Sequence, residues 1–184
     1  LGGANSEDVS LALEWQPNDP VIGVVRAEKG EALSAKSFDY HLEFETVHTT
    51  RQTLTADAPL TFAKTTDIAS TYSQVTNQAS LAAATAQRLS ARGPVIVMHT
   101  RPDWVWGLAK KFQIEENRIQ APTEKLRLVQ QFLELEYGPD FPLIELLSHG
   151  VGVHHAGLSD DVRALMEWLF GENALKFLAA TTTI

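Results

Sequence analysis

Between residues 150 and 183 the alternation of apolar and polar positions changes period twice. Val151 and Val153 are β-branched, follow Gly150 and start a short strand, which Gly157 breaks. Val162, Leu165, Met166, Leu169 and Phe170 then recur at i, i+3, i+4, i+7 and i+8, one apolar face of a helix. Ser159 stands where an N-cap hydroxyl would accept from a first-turn N–H, and Asp160 and Asp161 suit the helix dipole. Gly171 is placed to close that helix in the left-handed conformation. Residues 175–180 are apolar apart from Lys176, as expected of a parallel strand covered on both faces. The pattern predicts a βαβ unit with a right-handed crossover.

The rest of the chain is read in the same way. A short helix is expected over 6–15, capped by Asn5 or Ser6 and stopped by Pro17 and Pro20. Residues 21–25 predict a strand, and the polar, Gly-containing stretch 29–35 a linker. Phe38, Tyr40, Leu42 and Phe44 alternate with Asp39, His41 and Glu43, a half-buried strand. Residues 49–66 hold few large apolar side chains and include Pro59, so a loop with one short strand at most is expected. Ile68, Tyr72, Val75, Ala79, Ala82, Ala86 and Leu89 form one stripe of a long helix capped by Thr66 or Asp67. The stripe is narrow, which favours packing on a sheet over a coiled coil. Gly93 and Pro94 end it, and 94–98 predict a buried strand.

Pro102 suits the first turn of the next helix, with Val105, Leu108, Ala109 and Phe112 inward. A further amphipathic helix is expected over 123–137, capped by Thr123, with Leu126, Val129, Phe132 and Leu133 inward. Pro139 and Pro142 interrupt it, and a short helix over 143–148 leads to His149 and Gly150.

Polar side chains gather where these strands end. Thr100 and Arg101 follow the first, His154, His155 and Gly157 the second, and Thr181, Thr182 and Thr183 the third. In a parallel sheet all three groups share the carboxyl edge, where ligands of open α/β sheets bind. Hydroxyls, a Gly-exposed backbone and a helix N-terminus are good partners for phosphate oxygens. The threonines read equally as phosphate contacts and as β-branched strand residues. His154 and His155 are adjacent on a strand end and point to opposite sides, so with His149 they do not predict a metal site. Trp104, Trp106 and Trp168 could stack on bases, but tryptophans on amphipathic helices are more often packing residues.

G-V-G-V-H-H-A-G-L-S at 150–159, Arg163 on the helix that follows, and A-T-T-T-I at 180–184 carry a family resemblance. Together they resemble the second RecA-like (helicase C-terminal) domain of superkiller-type DExH helicases, DEAD-like members of superfamily two. V-I-V-M-H-T-R at 95–101 is similar to the family's motif four, whose strand end contacts the nucleic-acid backbone. The helices inserted ahead of H-H-A-G-L match a habit of the family. Leu1-Gly2 is similar to the pair just past the motif that ends the first RecA-like domain.

The resemblance implies an α/β, RecA-like (P-loop NTPase-type) parallel sheet flanked by helices on both faces. It implies that residues 1–36 are the tail of the first RecA-like domain and a linker. Residues 37–184 would be the second domain, incomplete at its C-terminus, so that the chain is a fragment of a longer ATP-dependent helicase. That longer protein would use ATP and Mg2+, with neither expected on this chain alone. The implied partners are single-stranded RNA or DNA and the first RecA-like domain of the same chain. Thr100, Arg101, His155, Gly157, Thr181 and Thr182 are the implied nucleic-acid contacts, with no catalytic and no metal-ligating residue.

Composition adds bounds. The chain has 184 residues, 44% hydrophobic and 21% charged, an ordinary globular balance. No apolar run approaches a membrane span, and no basic segment precedes an apolar one as in a signal peptide. The absence of cysteine excludes disulfides and fits a cytoplasmic, intracellular protein. The net charge of −8 argues against a free-standing, non-specific nucleic-acid binder. Residues 92–131 nevertheless hold seven Lys and Arg against four Asp and Glu, a local excess of three. That stretch reads equally as a phosphate-tracking surface or as a solvated face of mixed charge. No G-x-x-x-x-G-K-[ST] occurs and no D-E-x-H follows a strand, so no ATPase activity is expected of the chain alone. The alternative function is a non-catalytic RecA-like module that uses acidic faces for protein partners.

Overall fold

The computed structural model describes residues 21–34, 37–49, 60–61 and 76–181. The first element is a long hairpin: β1 (Val21–Ser34) pairs antiparallel with β2 (Ser37–Thr49), and β3 (Leu60–Thr61) adds to β2. Polar composition misdirected the expectation of a linker over 29–35: β1 continues to Ser34, with Lys29 opposite Tyr40 and Ala32 opposite Phe38, while Ala35 lies outside the described residues. An antiparallel ribbon needs only one apolar face, and the alternation of β2 sets the register for both strands. Register shifts at Lys29/Ala32 and Ala32/Ser34 absorb the polar Gly30–Glu31 step. The short strand expected within 49–66 is β3. The helix expected over 6–15 lies outside the described residues.

The larger unit is a three-stranded parallel sheet in the order β4-β6-β5, with β4 (Val95–His99), β5 (Val151–His154) and β6 (Phe177–Thr181). The central β6 is buried along its whole length. It starts two residues later than the apolar run, because the Lys176 and Phe177 N–H groups both donate to the Gly150 carbonyl. β4 is an edge strand and not the buried strand expected: Val97 is buried, while Ile96 and Met98 are 46% and 49% exposed. Ile96 and Met98 lie on the face covered by the helix Asp160–Gly171, which packs mainly on β5 and β6 and leaves them open.

Helices cover both faces, an α/β architecture consistent with a RecA-like fold. On one face α2 (Pro102–Lys110) crosses the sheet, and Phe112 just beyond it stacks on Phe177 with ring centroids 4.1 Å apart. On the other face α5 (Asp160–Gly171) packs Met166 and Leu169 against the βαβ unit it completes. Gly152 makes that approach possible: a Cβ there would lie 2.7 Å from Leu175 Cδ1 and 2.9 Å from Leu178 Cδ1. Leu165 is only partly buried, at the flank of the apolar face. Asn173, at φ 55°, follows α5 in the left-handed conformation, and Gly171 remains within the helix.

α1 (Gln78–Leu89) is shorter than the stripe suggested. Its cap is Asn77, whose side chain accepts from the Ser80 N–H at 3.1 Å; Thr66 and Asp67 lie outside the described residues. Ala83 and Ala86 are buried, whereas Leu89, in the last turn, is exposed. α3 (Glu124–Tyr137) is capped by Thr123 and ends at Gly138, φ 89°, before either proline. Leu126, Val129 and Leu133 point inward as expected, but Phe132 faces out with Leu128 and Leu135. α4 (Pro142–Leu147) then leads to β5. Among the described residues no helix is long and apolar enough to cross a membrane.

Candidate nucleic-acid interface

Register decides what the strands present at their carboxyl edge. His99 pairs with Thr181, and His154 pairs with Ala180, so His155 comes level with Thr181. Alternation then puts His99, Thr181 and His155 on the α2 face, and His154 on the α5 face. Thr100 and Arg101 continue from His99 into the start of α2. Gly157 lies in the turn closed by the Leu158 N–H donating to the His155 carbonyl. Five of the six expected contact residues thus share one edge; the sixth, Thr182, lies outside the described residues.

The histidine pair divides between the two faces. His154 Nε2 is 2.7 Å from Glu167 Oε1 on α5. Its Nδ1 is buried and has no partner among the described residues. His155 turns the other way, towards α2. Its Nε2 accepts from the Trp106 indole N–H at 3.0 Å, and the Gly157 N–H points at its Nδ1, also at 3.0 Å. Burial lowers the pKa of His155 and the charge of neighbouring His154 lowers it further, while Asp103 acts in the opposite sense. The ring is therefore neutral near pH 7. A side chain at Gly157 would crowd the ring, since a Cβ would lie 3.0 Å from both Cε1 and Nδ1.

Arg101 occupies the other end of the row. It is the extended residue before α2, with Pro102 in the first turn, so its side chain leaves the sheet at the edge. Its guanidinium lies 5.2 Å from the centre of the Trp104 ring and 3.6 Å from Asp103. His99 meets Trp104 edge-on at 4.7 Å. These are exposed contacts, so Arg101 remains free to reorient towards a phosphate.

The basic excess of residues 92–131 does not form one surface. α2 runs away from the carboxyl edge, so Lys110 and Lys111 end up at the opposite side, where Lys111 donates to Ser80. Arg118 faces Glu145, and Lys125 pairs with Glu172 at the far end of α5. Of the seven basic residues, Arg101 is the one carried to the carboxyl edge. The amino edge has its own cleft of about 290 Å3, lined in part by Asn117, His149 and Lys176. There the Asn117 amide pairs reciprocally with Gln87, donates to the Phe112 carbonyl and accepts from Lys176 Nζ.

Trp106, Glu167 and His99 belong to the edge but were not singled out as site residues in the sequence. Trp106 was visible only as one of several tryptophans on a helix. Its pairing with His155 spans 49 positions and has no local signature.

No family model matches the chain. Short stretches are similar to known proteins. The chain is 49% identical over 45 residues to activating signal cointegrator 1 complex subunit 3 of Dictyostelium discoideum. It is 50% identical over 42 residues to a subunit 3-like protein of the same organism. It is also 48% identical over 42 residues to the ATP-dependent DNA helicase Hel308 of Thermoplasma volcanium. Each match covers about a quarter of this chain (24%, 23% and 23%) and 2%, 2% and 6% of the relative. The similarity to an ATP-dependent DNA helicase is thus direct, over a short stretch.

Proposed function

We propose that this chain is part of an ATP-dependent nucleic-acid helicase and holds one strand by its phosphate backbone at the carboxyl edge of the parallel sheet. The observation that carries this is the register that aligns Thr100, Arg101, His155, Gly157 and Thr181 along one edge. Hydroxyls, a guanidinium and backbone N–H groups are the donors that phosphates take, and none of them reads a base. Thr182 is the next residue in the sequence after Thr181. The short similarity to an ATP-dependent DNA helicase supports the same class of activity.

In the proposed whole, residues 37–184 are a second RecA-like domain of the superkiller type and residues 1–36 lead out of the first. The β1–β2 hairpin straddles that division. The first domain would bind ATP and Mg2+ and close against this one, moving the strand. This chain carries no phosphate-binding loop motif, so no hydrolytic step is assigned to its residues. Its task is to bind and orient single-stranded RNA or DNA inside an intracellular protein.

Arg101→Ala tests the proposal. Affinity for single-stranded RNA and DNA should fall irrespective of sequence. The slope of log affinity against log salt should flatten by about 0.7, the share of one phosphate on a single strand. Measurement is by fluorescence anisotropy at several salt concentrations. Unchanged affinity and an unchanged slope would remove Arg101 from the interface.

A further inference from the structure

Trp104 leaves a large ring in water at the carboxyl edge. It stands in the first turn of α2, just past Arg101, and is 52% exposed. Among the described tryptophans it alone is both open and placed at this edge. Trp106 is tied inward: its indole N–H donates to His155 at 3.0 Å and its ring packs edge-on against Phe141. Trp168 is exposed, but it lies near the C-terminal end of α5 beside Lys125, away from the strand ends.

Exposure alone would not set Trp104 apart from an ordinary surface side chain. What does is the pair of groups that hold it. His99, the last residue of β4, meets the ring edge-on, with centroids 4.7 Å apart and planes at 79°. The Arg101 guanidinium lies over the ring, 5.2 Å from its centre. A guanidinium is planar and stacks on aromatic faces. A nucleobase is planar too and takes the same kind of face. The two groups therefore compete for one platform, which the guanidinium holds in the unbound chain. A phosphate draws the guanidinium off, because a charge-assisted contact outweighs an exposed cation–π contact. Strand order puts this exchange at one end of the row: His155 follows β5, Thr181 ends β6, and Arg101 and Trp104 follow β4.

We propose that Trp104 is the stacking platform for one base of the bound strand, which takes the ring face that Arg101 covers in the unbound chain as the guanidinium moves to the adjoining phosphate. This rests on the backbone-binding function proposed above and adds to it a contact with the plane of a base. A base inside a duplex is already stacked between its neighbours, so the platform selects single strands over double strands. It is tolerant of sequence, because every base has a π face. Trp104 carries no charge and releases no counterion, so its contribution does not change with salt, unlike that of Arg101.

The test compares two probes of equal length and charge, an oligothymidylate and a strand of abasic residues. Wild type should bind the oligothymidylate more tightly by about five- to tenfold, the lower end of what one base stacked on an aromatic side chain contributes. Its tryptophan emission should be quenched by the oligothymidylate and not by the abasic strand. Equal affinity for the two probes would overturn the proposal and leave the backbone-binding function standing. Binding of neither probe would remove both. Trp104→Leu keeps apolar bulk and removes the ring. It should lose the preference for oligothymidylate and most of the quenching, while abasic affinity and the salt slope stay at their wild-type values. Trp104→Phe, with a smaller ring, should recover part of the preference. Arg101→Ala should weaken both probes alike and leave their ratio unchanged. If Trp104→Leu instead weakens both probes equally, the ring only positions Arg101 and the stacking role is wrong. An unchanged preference in Trp104→Leu would also overturn it.

Discussion

Phe177→Ala should destabilise the chain by about 3–5 kcal/mol, the cost of removing a buried aromatic ring from a core. Phe177 is 0% exposed and opens the central strand, where its ring stacks on Phe112 at 4.1 Å and 13°. Its neighbours on β4 and β5 are Val95 and Val151, so three strands and the end of α2 meet at this side chain. Strands on both sides hold the backbone of β6 in place, which limits collapse of the cavity and puts the cost towards the upper end. Phe177→Leu should recover part of the loss, since it refills part of the volume. Denaturant unfolding of the two variants measures this; a loss under about 1 kcal/mol for the alanine variant would place Phe177 outside the core.

Leu169→Ala should cost about 2–5 kcal/mol, and Leu165→Ala clearly less. Both lie on the apolar face of α5, but Leu169 is 0% exposed whereas Leu165 only flanks the core. Met166 fixes the orientation of that face, because its sulfur comes within 3.4 Å of where a Gly152 Cβ would stand. A helix rotated to favour Leu165 would withdraw Met166 from Gly152. Unfolding of both variants under the same conditions ranks them, and the reverse order would mean that α5 presents a different face to the sheet.

The parts of this fold that sequence made legible are those written in local periodicity. Strand, turn, helix and strand from Val151 to Thr181 follow from β-branched alternation, the Ser159 cap and the i, i+3, i+4 spacing of α5. What escaped depends on contacts made at a distance. The exposure of Ile96 and Met98 follows from where α5 packs, over β5 and β6, which no local pattern encodes. The continuation of β1 through polar residues depends on the partner strand and not on its own composition. Phe132 matches the helical period as well as Leu133 does, and only packing separates the two.

The candidate site divides similarly. Strand ends marked Thr100, Arg101, His155, Gly157 and Thr181, because chain termini of parallel strands share an edge by construction. The basic excess of residues 92–131 was legible as a number but not as a surface, since α2 carries Lys110 and Lys111 away from Arg101. Trp106 was hidden because its partner lies 49 residues on.

The most direct measurement of the central claim is a map of backbone amide shifts as a single-stranded oligonucleotide is titrated into the isotope-labelled chain. Binding at the carboxyl edge should move the amides of Thr100, Arg101, His155, Gly157 and Thr181. Those of Asn117, Gly150 and Lys176, around the amino-edge cleft, should stay in place. Shifts confined to the amino edge, with the strand-end amides unmoved, would contradict it.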